Sequence, residues 1–470
     1  MKKTKIIATI SNHNCDVPFL TRMHEEGMDV VRLNTAHQGI DDAVEVIDKV
    51  RQVSERIAII VDTKGPEIRT TPAREDLPVR TGDMVCVVGN KNGQCVPGSI
   101  CLTYDNFVAE LSVGDRILID DGDIELEVRE KDEHRLMCEV RNDGVVKGRK
   151  SINLPSVKIK NLPSLTDKDR AFVEFAADRD IDFIAHSFVR NKEDVLAIQE
   201  ILDRKGSKVK IIAKIENQQG VDNIDEILDH AYGVMVARGD LAIEIPTEKI
   251  PIIQKRLVRK CIERRKPVII ATQMLQSMIS SPRPTRAEVS DVANACLDRT
   301  DAVMLSGETA YGRYPLEAVQ MMARIAREIE SSLPTFTDSP YEAEKTVTSY
   351  LAKAAVKASL RLKTSALIAD TISGRTIQSL VAYRGDNPIF AQCYSERVMR
   401  ELALSYGVYA SYMPPDVTSH EFLHTALTRL LAEGRFDEDS LVTVLAGNFG
   451  STFGASYVEI STARNLLQRR

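Results

Sequence analysis

Four short apolar runs between Lys210 and Thr309 each end in polar groups that packing alone would not place there. KIIAKIENQQG (210–220) carries Lys214 and Glu216. Side chains two apart on a strand share a face, so an ammonium and a carboxylate project together. GVMVARGDL (233–241) ends in Arg238, Gly239 and Asp240, KPVIIATQM (266–274) in Thr272 and Gln273, and DAVMLSGET (301–309) in Ser306 and Glu308. Glu216 and Asp240, from adjacent strands, make a half-shell for Mg²⁺ or Mn²⁺, an ion that keeps waters and takes further ligands from a substrate phosphate. Lys214 and the arginines Arg32, Arg69 and Arg238 supply positive charge where a phosphoryl group would develop negative charge. For Arg238 a structural pairing with a neighbouring carboxylate is the favoured reading, whereas for Lys214 a buried ammonium without a function is costly. Thr272 and Ser306 are neutral hydroxyls able to relay a proton through water. Asn34, Asp62 and Thr63 form a second oxygen-rich cluster, large enough for a monovalent cation. These residues support metal-assisted chemistry on a phosphorylated, carboxylated small molecule. They leave phosphoryl transfer and aldol or enol chemistry both open.

The elements that must position them repeat one unit: strand, polar loop, helix, strand. In a (β/α) barrel, catalytic groups stand at the carboxyl ends of several parallel strands while the strand bodies fill the core. KIIATI (5–10), DVVRLN (29–34), RIAIIVDTKGPEIR (56–69) and DFIAHSF (182–188) raise the strand count to eight, the number that closes such a barrel. The expected organisation is α/β: a (β/α)8 TIM barrel over 1–65 plus 154–335, interrupted at 66–153 by an inserted small β-barrel lid domain. Short alternating strands and Asp-Gly turns, without a helix of consequence, mark that insertion. Thr166, with Asp169 three residues on, is a capping pattern that opens the next barrel helix. After the Pro- and Ser-containing run SSLPTFTDSP (331–340), residues 336–470 read as a second, separate C-terminal α/β domain. Its first strand ends in TISGRT (371–376), either a phosphate-holding helix start or a plain capping turn. GVVKGRKS (144–151) lacks the spacing of a phosphate loop, and no G-x-G-x-x-G follows a strand.

Composition excludes several classes. With 470 residues, 43% hydrophobic, 28% charged and a net charge of −6, the chain gives no reason to expect nucleic acid or a membrane as main partner. The basic N-terminus runs into a strand without a cleavage site, so the chain reads as cytoplasmic. Eight scattered cysteines without C-x-x-C pairs read as free thiols, and zinc is not expected.

DTKGPEIRT (62–70), IDDGDI (119–124), KIEN (214–217), MVARGDLAIEIP (235–246), ATQMLQSM (271–278), PRPTRAE (282–288) and DVANACLDRTDAVMLSGETAYGRYP (291–315) together resemble the pyruvate kinase family over nearly the whole chain. The resemblance implies transfer of the phosphoryl group of phosphoenolpyruvate to ADP, giving pyruvate and ATP, with Mg²⁺ (or Mn²⁺) and K⁺ as cofactors. By motif position, Glu216 and Asp240 resemble the divalent-ion ligands, and Lys214 the lysine that stabilises the migrating phosphoryl group. Thr272 resembles the substrate-contacting threonine near the proton path, and the backbone at Gly239 would meet the substrate carboxylate. Arg32 and Arg69 look like phosphate-facing arginines. Asn34, Thr35, Ala36 and His37, with Lys150, look like the nucleotide side, and Asn34, Asp62 and Thr63 like the K⁺ ligands. Thr371, Ser373, Gly374, Arg375 and Thr376 resemble a sugar-phosphate effector loop, and the family implies a homotetramer.

The chain departs from the family pattern in four places. Ser11 and Asn12 replace Gly-Pro, and Thr35 and Ala36 replace Phe-Ser. Ala242 follows ARGDL in place of Gly, and TFGASYVEI replaces a Thr-Asn near the last strand. AGNFGSTFGA (446–455), the expected partner of the effector loop, has no Lys or Arg, so a monophosphorylated effector or a weak bisphosphate response is expected. The alternatives are a metal-dependent phosphoenolpyruvate or pyruvate lyase or aldolase on a similar barrel, and a sensor that has lost catalysis.

Overall fold

Strand segments rich in Val, Ile and Ala on both faces can be buried on both sides, and eight of them close into a parallel barrel. In this computed structural model they are Lys5–Thr9, Val30–Asn34, Ala58–Asp62, Phe183–His186, Lys210–Ile215, Gly233–Ala237, Val268–Ala271 and Ala302–Leu305. Neighbours in the barrel are neighbours in the chain, and the eighth strand returns to the first with Lys5 opposite Ala302. Alternate residues fill the interior, among them Ile7, Ile60, Phe183, Ile212, Met235 and Ile269. The intervening ones, such as Ile59, Ile184, Ile211 and Val303, pack under the surrounding helices. Thr166 caps the helix Asp167–Asp178 in a reciprocal box with Asp169, as its sequence pattern predicts. The structure describes residues 1–72, 75–89, 98–155, 157, 159, 161–179, 181–333, 339, 341, 344–414, 419–447 and 454–468.

Between the third and fourth barrel strands lies a seven-stranded sheet with a two-stranded companion. Its first strand, Ile68–Arg69, and its last, Ser99–Leu102, are brought together where Thr70 bridges to Leu102, so the sheet curls until its edges meet. The hairpin of Arg116–Ile119 and Ile124–Lys131 turns through Asp120, Asp121 and Gly122, all at positive φ. Cys15, Cys86, Cys138, Cys261, Cys296 and Cys393 are free thiols. Cys101 is disulfide-bonded, which corrects the reading of all eight cysteines as free.

Among the described residues the C-terminal region carries five strands, ordered Val408–Tyr412, Ile389–Cys393, Ala366–Thr371, Leu441–Gly447 and Ala455–Thr462, of which only the last is antiparallel. Most of the run 331–340 and of the loop 446–455 lies outside the described residues, so the inference about cations in that loop has no structural counterpart here. This region docks on the barrel's amino-terminal floor. Leu404 is fully buried in the cluster formed by the interior barrel residues, where it plugs the floor. Around it, Arg384 donates through both terminal nitrogens to Asp301 at 2.6 Å, and Arg400 Nε donates to Asp182 at 2.6 Å. Both carboxylates sit at strand starts and also accept backbone N–H groups, from Tyr406 and Ile59 respectively. Buried ion pairs persist only when their remaining lone pairs are satisfied in this way.

A Leu404→Ala variant should therefore leave a void beneath the barrel and lose about 2–5 kcal/mol of stability. A lowered midpoint in thermal denaturation is the expected reading; an unchanged midpoint would contradict the plug.

Candidate active site

At the opposite, carboxyl-terminal mouth the strand tips converge on a cavity of about 520 Å³. Arg32, Asp62, Lys214, Glu216 and Asp240 line it together, contributed by the second, third, fifth and sixth strand ends. Lys214 is buried, with Nζ 3.1 Å from Asp62 Oδ1 and 3.0 Å from Glu216 Oε1, and it donates to Ser187 Oγ at 2.7 Å. Burial disfavours the ammonium, but Asp62 and Glu216 outweigh it and hold Lys214 above the ordinary lysine range. For Asp62 the same contest runs the other way: burial favours the neutral acid, and Arg32 with Lys214 keeps its carboxyl below the usual range. Arg32 Nε donates to Asp62 Oδ2 at 2.6 Å, and its Nη1 to Thr9 Oγ1 at 2.9 Å, so the charge chain is tied into the first strand.

Glu216 shares its cationic partner Lys214 with Asp62, and Asp240 stands beside Glu216 on the far side of that pair. Burial pushes Glu216 up to about 7 against the pull of Lys214, with Asp240 adding to the rise. Asp240 is raised as well, by burial first, and bonds to Glu216 through its side chain. Two facing carboxyls whose buried charges burial and mutual repulsion disfavour are a donor set that a divalent cation would compensate. Among the described residues no group of three or more His, Cys, Asp or Glu side chains could hold a metal ion. A pair of carboxylates suits an ion that keeps waters and substrate oxygens.

The oxygen-rich cluster beside this pair also fits a cation. Asp62 Oδ1 is buried and lies 3.1 Å from Lys214 Nζ, with lone-pair capacity left for a cation. Asn34 Oδ1 accepts only a long bond from the Ala36 N–H at 3.2 Å. Thr63 offers its carbonyl, which already accepts from Ser187 at 2.6 Å.

Not every expected residue reaches the cavity. Asn34, Ala36, His37 and Arg69 line it, whereas Thr35 is fully buried with an unpartnered hydroxyl. Lys150 pairs with Asp120 at 2.7 Å and stays in the curled sheet, while its neighbour Arg149 lines the cavity. Gly239, Thr272 and Ser306 stand at neighbouring strand ends, outside the lining. Gly239 N–H donates to Thr272 Oγ1 at 2.8 Å, and that hydroxyl donates to the Ala271 carbonyl at 2.7 Å. Thr272 and Gln273 both take positive φ. Ser306 N–H donates to buried Glu308, which also accepts from Leu275, joining the last two strand loops. Arg238 pairs with Asp291 at 2.6 Å and donates to the Thr272 carbonyl, so it braces the loop.

Far from this mouth, Thr371 Oγ1 accepts the Gly374 N–H at 2.8 Å and Arg375 Nε donates to Ser373 Oγ at 3.2 Å. Gly374 is at φ 81, where a side chain would be strained, and Thr376 follows in the first turn of the helix Arg375–Val381. Sequence reasoning missed Ser187, Phe188 and Arg149. The first two end DFIAHSF, a strand tip of the same design as the others, so the signal was present; Arg149 carried none.

A parallel barrel that gathers a charged lysine, two adjacent carboxyls and several arginines at its mouth has the site of a phosphotransferase. Residues 1–319 match the family model described as pyruvate kinase, barrel domain, and residues 349–460 the one described as pyruvate kinase, alpha/beta domain. The chain is 45% identical to a pyruvate kinase of Borreliella burgdorferi, covering 100% of this chain and 99% of that protein. It is 42% identical to one of Geobacillus stearothermophilus, covering 100% of this chain and 81% of the relative. With a pyruvate kinase of Bacillus licheniformis the identity is 41% over 96% of this chain and 78% of that protein. The chain belongs to the pyruvate kinase family. No helix among the described residues is long and apolar enough to cross a membrane.

His186, one residue before Ser187, gives this region a pH dependence. It is fully buried with neither ring nitrogen partnered, and burial lowers its pKa from 6.5 to about 4. The unfolded chain then binds more protons between those values, so the stability contribution is complete above pH 6.5 and is lost as pH falls towards 4. Replacing it as His186→Leu should flatten the acid limb of a stability-against-pH curve by about 3 kcal/mol. Parallel acid limbs for the two proteins would refute that origin.

Proposed function

We propose that the chain's residues divide the transfer of the phosphoryl group from phosphoenolpyruvate to ADP as follows. Lys214 presents a fixed ammonium to the phosphoryl group in flight, with Arg32 on the same side and Arg69 towards the nucleotide. The observation that carries this reading is the setting of Lys214 between Asp62 and Glu216, which keeps it charged in a buried mouth. Glu216 and Asp240 would hold Mg²⁺ or Mn²⁺, and Asn34, Asp62 and Thr63 would hold K⁺. These ions supply positive charge that offsets the phosphates and polarises the phosphoryl oxygens.

The backbone at Gly239 would receive the substrate carboxylate. As the phosphoryl group leaves, the enolate needs a proton at its methylene carbon. Thr272 and Ser306 are the hydroxyls placed to pass one through water, provided Thr272 releases its bond to the Ala271 carbonyl. Asn34, Ala36, His37 and Arg69 form the nucleotide wall. Lys150 joins them only if it leaves Asp120, and Thr35 acts from beneath. Residues 66–153 serve as a lid that excludes water, on a barrel of 1–65 plus 154–335, with 336–470 regulatory. The turn formed by Thr371, Ser373, Gly374, Arg375 and Thr376 is proposed to take a sugar phosphate, in a cytoplasmic homotetramer.

A Schiff-base lyase would need a neutral Lys214 amine, and the paired carboxylates oppose that form. Pyruvate formation assayed with and without ADP tests the reading. Turnover that proceeds equally well without ADP would overturn it.

Three variants give sharper tests. Lys214→Met should preserve folding and substrate binding while lowering kcat by roughly a hundredfold or more; near-normal turnover would remove Lys214 from the transfer. Glu216→Gln should show a deficit that shrinks as Mg²⁺ is raised, and a deficit independent of Mg²⁺ would argue against a ligand role. Ala36 lacks a hydroxyl facing the K⁺ cluster, so activity should need K⁺ at a higher concentration than in Ala36→Ser. Titration of KCl against tetramethylammonium at constant ionic strength checks this, and an unchanged half-saturating concentration would contradict it.

A further inference from the structure

We propose that Ser187 is a positioning residue for Lys214 and links the setting of that ammonium to the root of the inserted sheet. Ser187 follows the fourth barrel strand and is 2% exposed. Its Oγ stands 2.6 Å from the Thr63 carbonyl oxygen and 2.7 Å from Lys214 Nζ. A carbonyl only accepts and an ammonium only donates, so the single hydroxyl hydrogen goes to Thr63 and the lone pair faces Lys214. The chain of donation runs one way, from Lys214 to Ser187 to Thr63. The Ser187 N–H donates back to Thr63 Oγ1 at 3.1 Å and closes a ring that holds the serine in register. The contacts of Lys214 with Asp62 and Glu216, at 3.1 and 3.0 Å, are longer than the serine bond and hold the charge from two sides. The serine bond is directional, and it fixes where the ammonium points.

Thr63 is also where the chain leaves the barrel. Residues 63–67 run from the third strand to Ile68–Arg69, the first strand of the inserted sheet. Gly65, at φ 76, lies against the same turn: a Cβ there would come within 2.7 Å of the Phe188 ring and 2.8 Å of Ser187 Cβ. Phe188 takes φ 55, which turns its N–H onto Glu216 Oε2 at 2.7 Å. The two-residue turn Ser187–Phe188 thus receives the root of the insertion on one side and sets Lys214 and Glu216 on the other. Any shift of residues 63–65 would reach the ammonium through one hydroxyl.

This inference rests on the phosphoryl-transfer reading, and the experiment separates the two. Ser187→Ala should lower kcat about ten- to a hundredfold, with KM for phosphoenolpyruvate moving by less than about threefold. Ser187→Thr, which restores the hydroxyl, should recover most of the loss. In a Lys214→Met background, Ser187→Ala should change the residual turnover by less than about twofold, because the residue it positions is gone. If Ser187→Ala does not fold, Ser187→Cys, a near-isostere with a weak acceptor, takes its place with the same expected pattern. An unchanged kcat in Ser187→Ala, a loss of the same size in the Lys214→Met background, or a folded Ser187→Thr as impaired as the alanine variant would each overturn the proposal. Normal turnover in Lys214→Met would overturn the phosphoryl-transfer reading and this inference with it. A crippled Lys214→Met beside a fully active Ser187→Ala would overturn this inference alone.

Discussion

The mouth of the barrel depends on one buried ammonium held between two carboxylates. An isolated lysine at the depth of Lys214 would lose its proton, because burial disfavours the charged form. Asp62 and Glu216 reverse that outcome, and in doing so each is itself affected. Asp62 is shared with Arg32 and stays a full carboxylate, so it serves as the permanent counter-charge. Glu216 is shared with Asp240, a second carboxyl, and so retains unmet demand for positive charge. That asymmetry makes one side of Lys214 structural and leaves on the other the carboxyl pair proposed above to take a cation.

The barrel supplies these groups from separate strands. Asp62 ends the third strand, Lys214 and Glu216 the fifth, and Asp240 follows the sixth, so closure of the barrel is what makes them neighbours. Loops at the mouth are then braced by internal bonds. Arg238 ties its own loop to Asp291 and the Thr272 carbonyl, and Glu308 joins the loops after the seventh and eighth strands. Positive φ at Phe188, Thr272 and Gln273 marks where the backbone is bent to serve the site. The floor is treated differently: Asp301 and Asp182 are locked by Arg384 and Arg400 of the C-terminal region, with Leu404 filling the gap. Gly374 of the TISGRT turn would bring a Cβ within 3.7 Å of Leu402, two residues from that plug, so the turn and the barrel floor share one short packed segment.

The sequence by itself determined the kinds of groups at each strand tip and the period of the barrel. Both follow from local rules: burial on two faces demands continuous apolar strands, and a charge at the end of such a strand is conspicuous. Lys214, Glu216, Asp240, Asp62 and Arg32 were all legible for that reason. The tertiary structure alone decided who pairs with whom. Nothing along the chain says that Arg238 turns away to Asp291, that Lys150 is engaged by Asp120, that Thr35 is buried, or that Cys101 forms a disulfide. Ser187 shows the division most clearly. Its residue type was visible at a strand tip, but its function as an acceptor depends on a carbonyl 124 residues away fixing the direction of its one hydrogen. Charge and hydropathy are properties of residues and can be read in order. Hydrogen-bond direction and burial belong to surroundings that exist only once the barrel has closed.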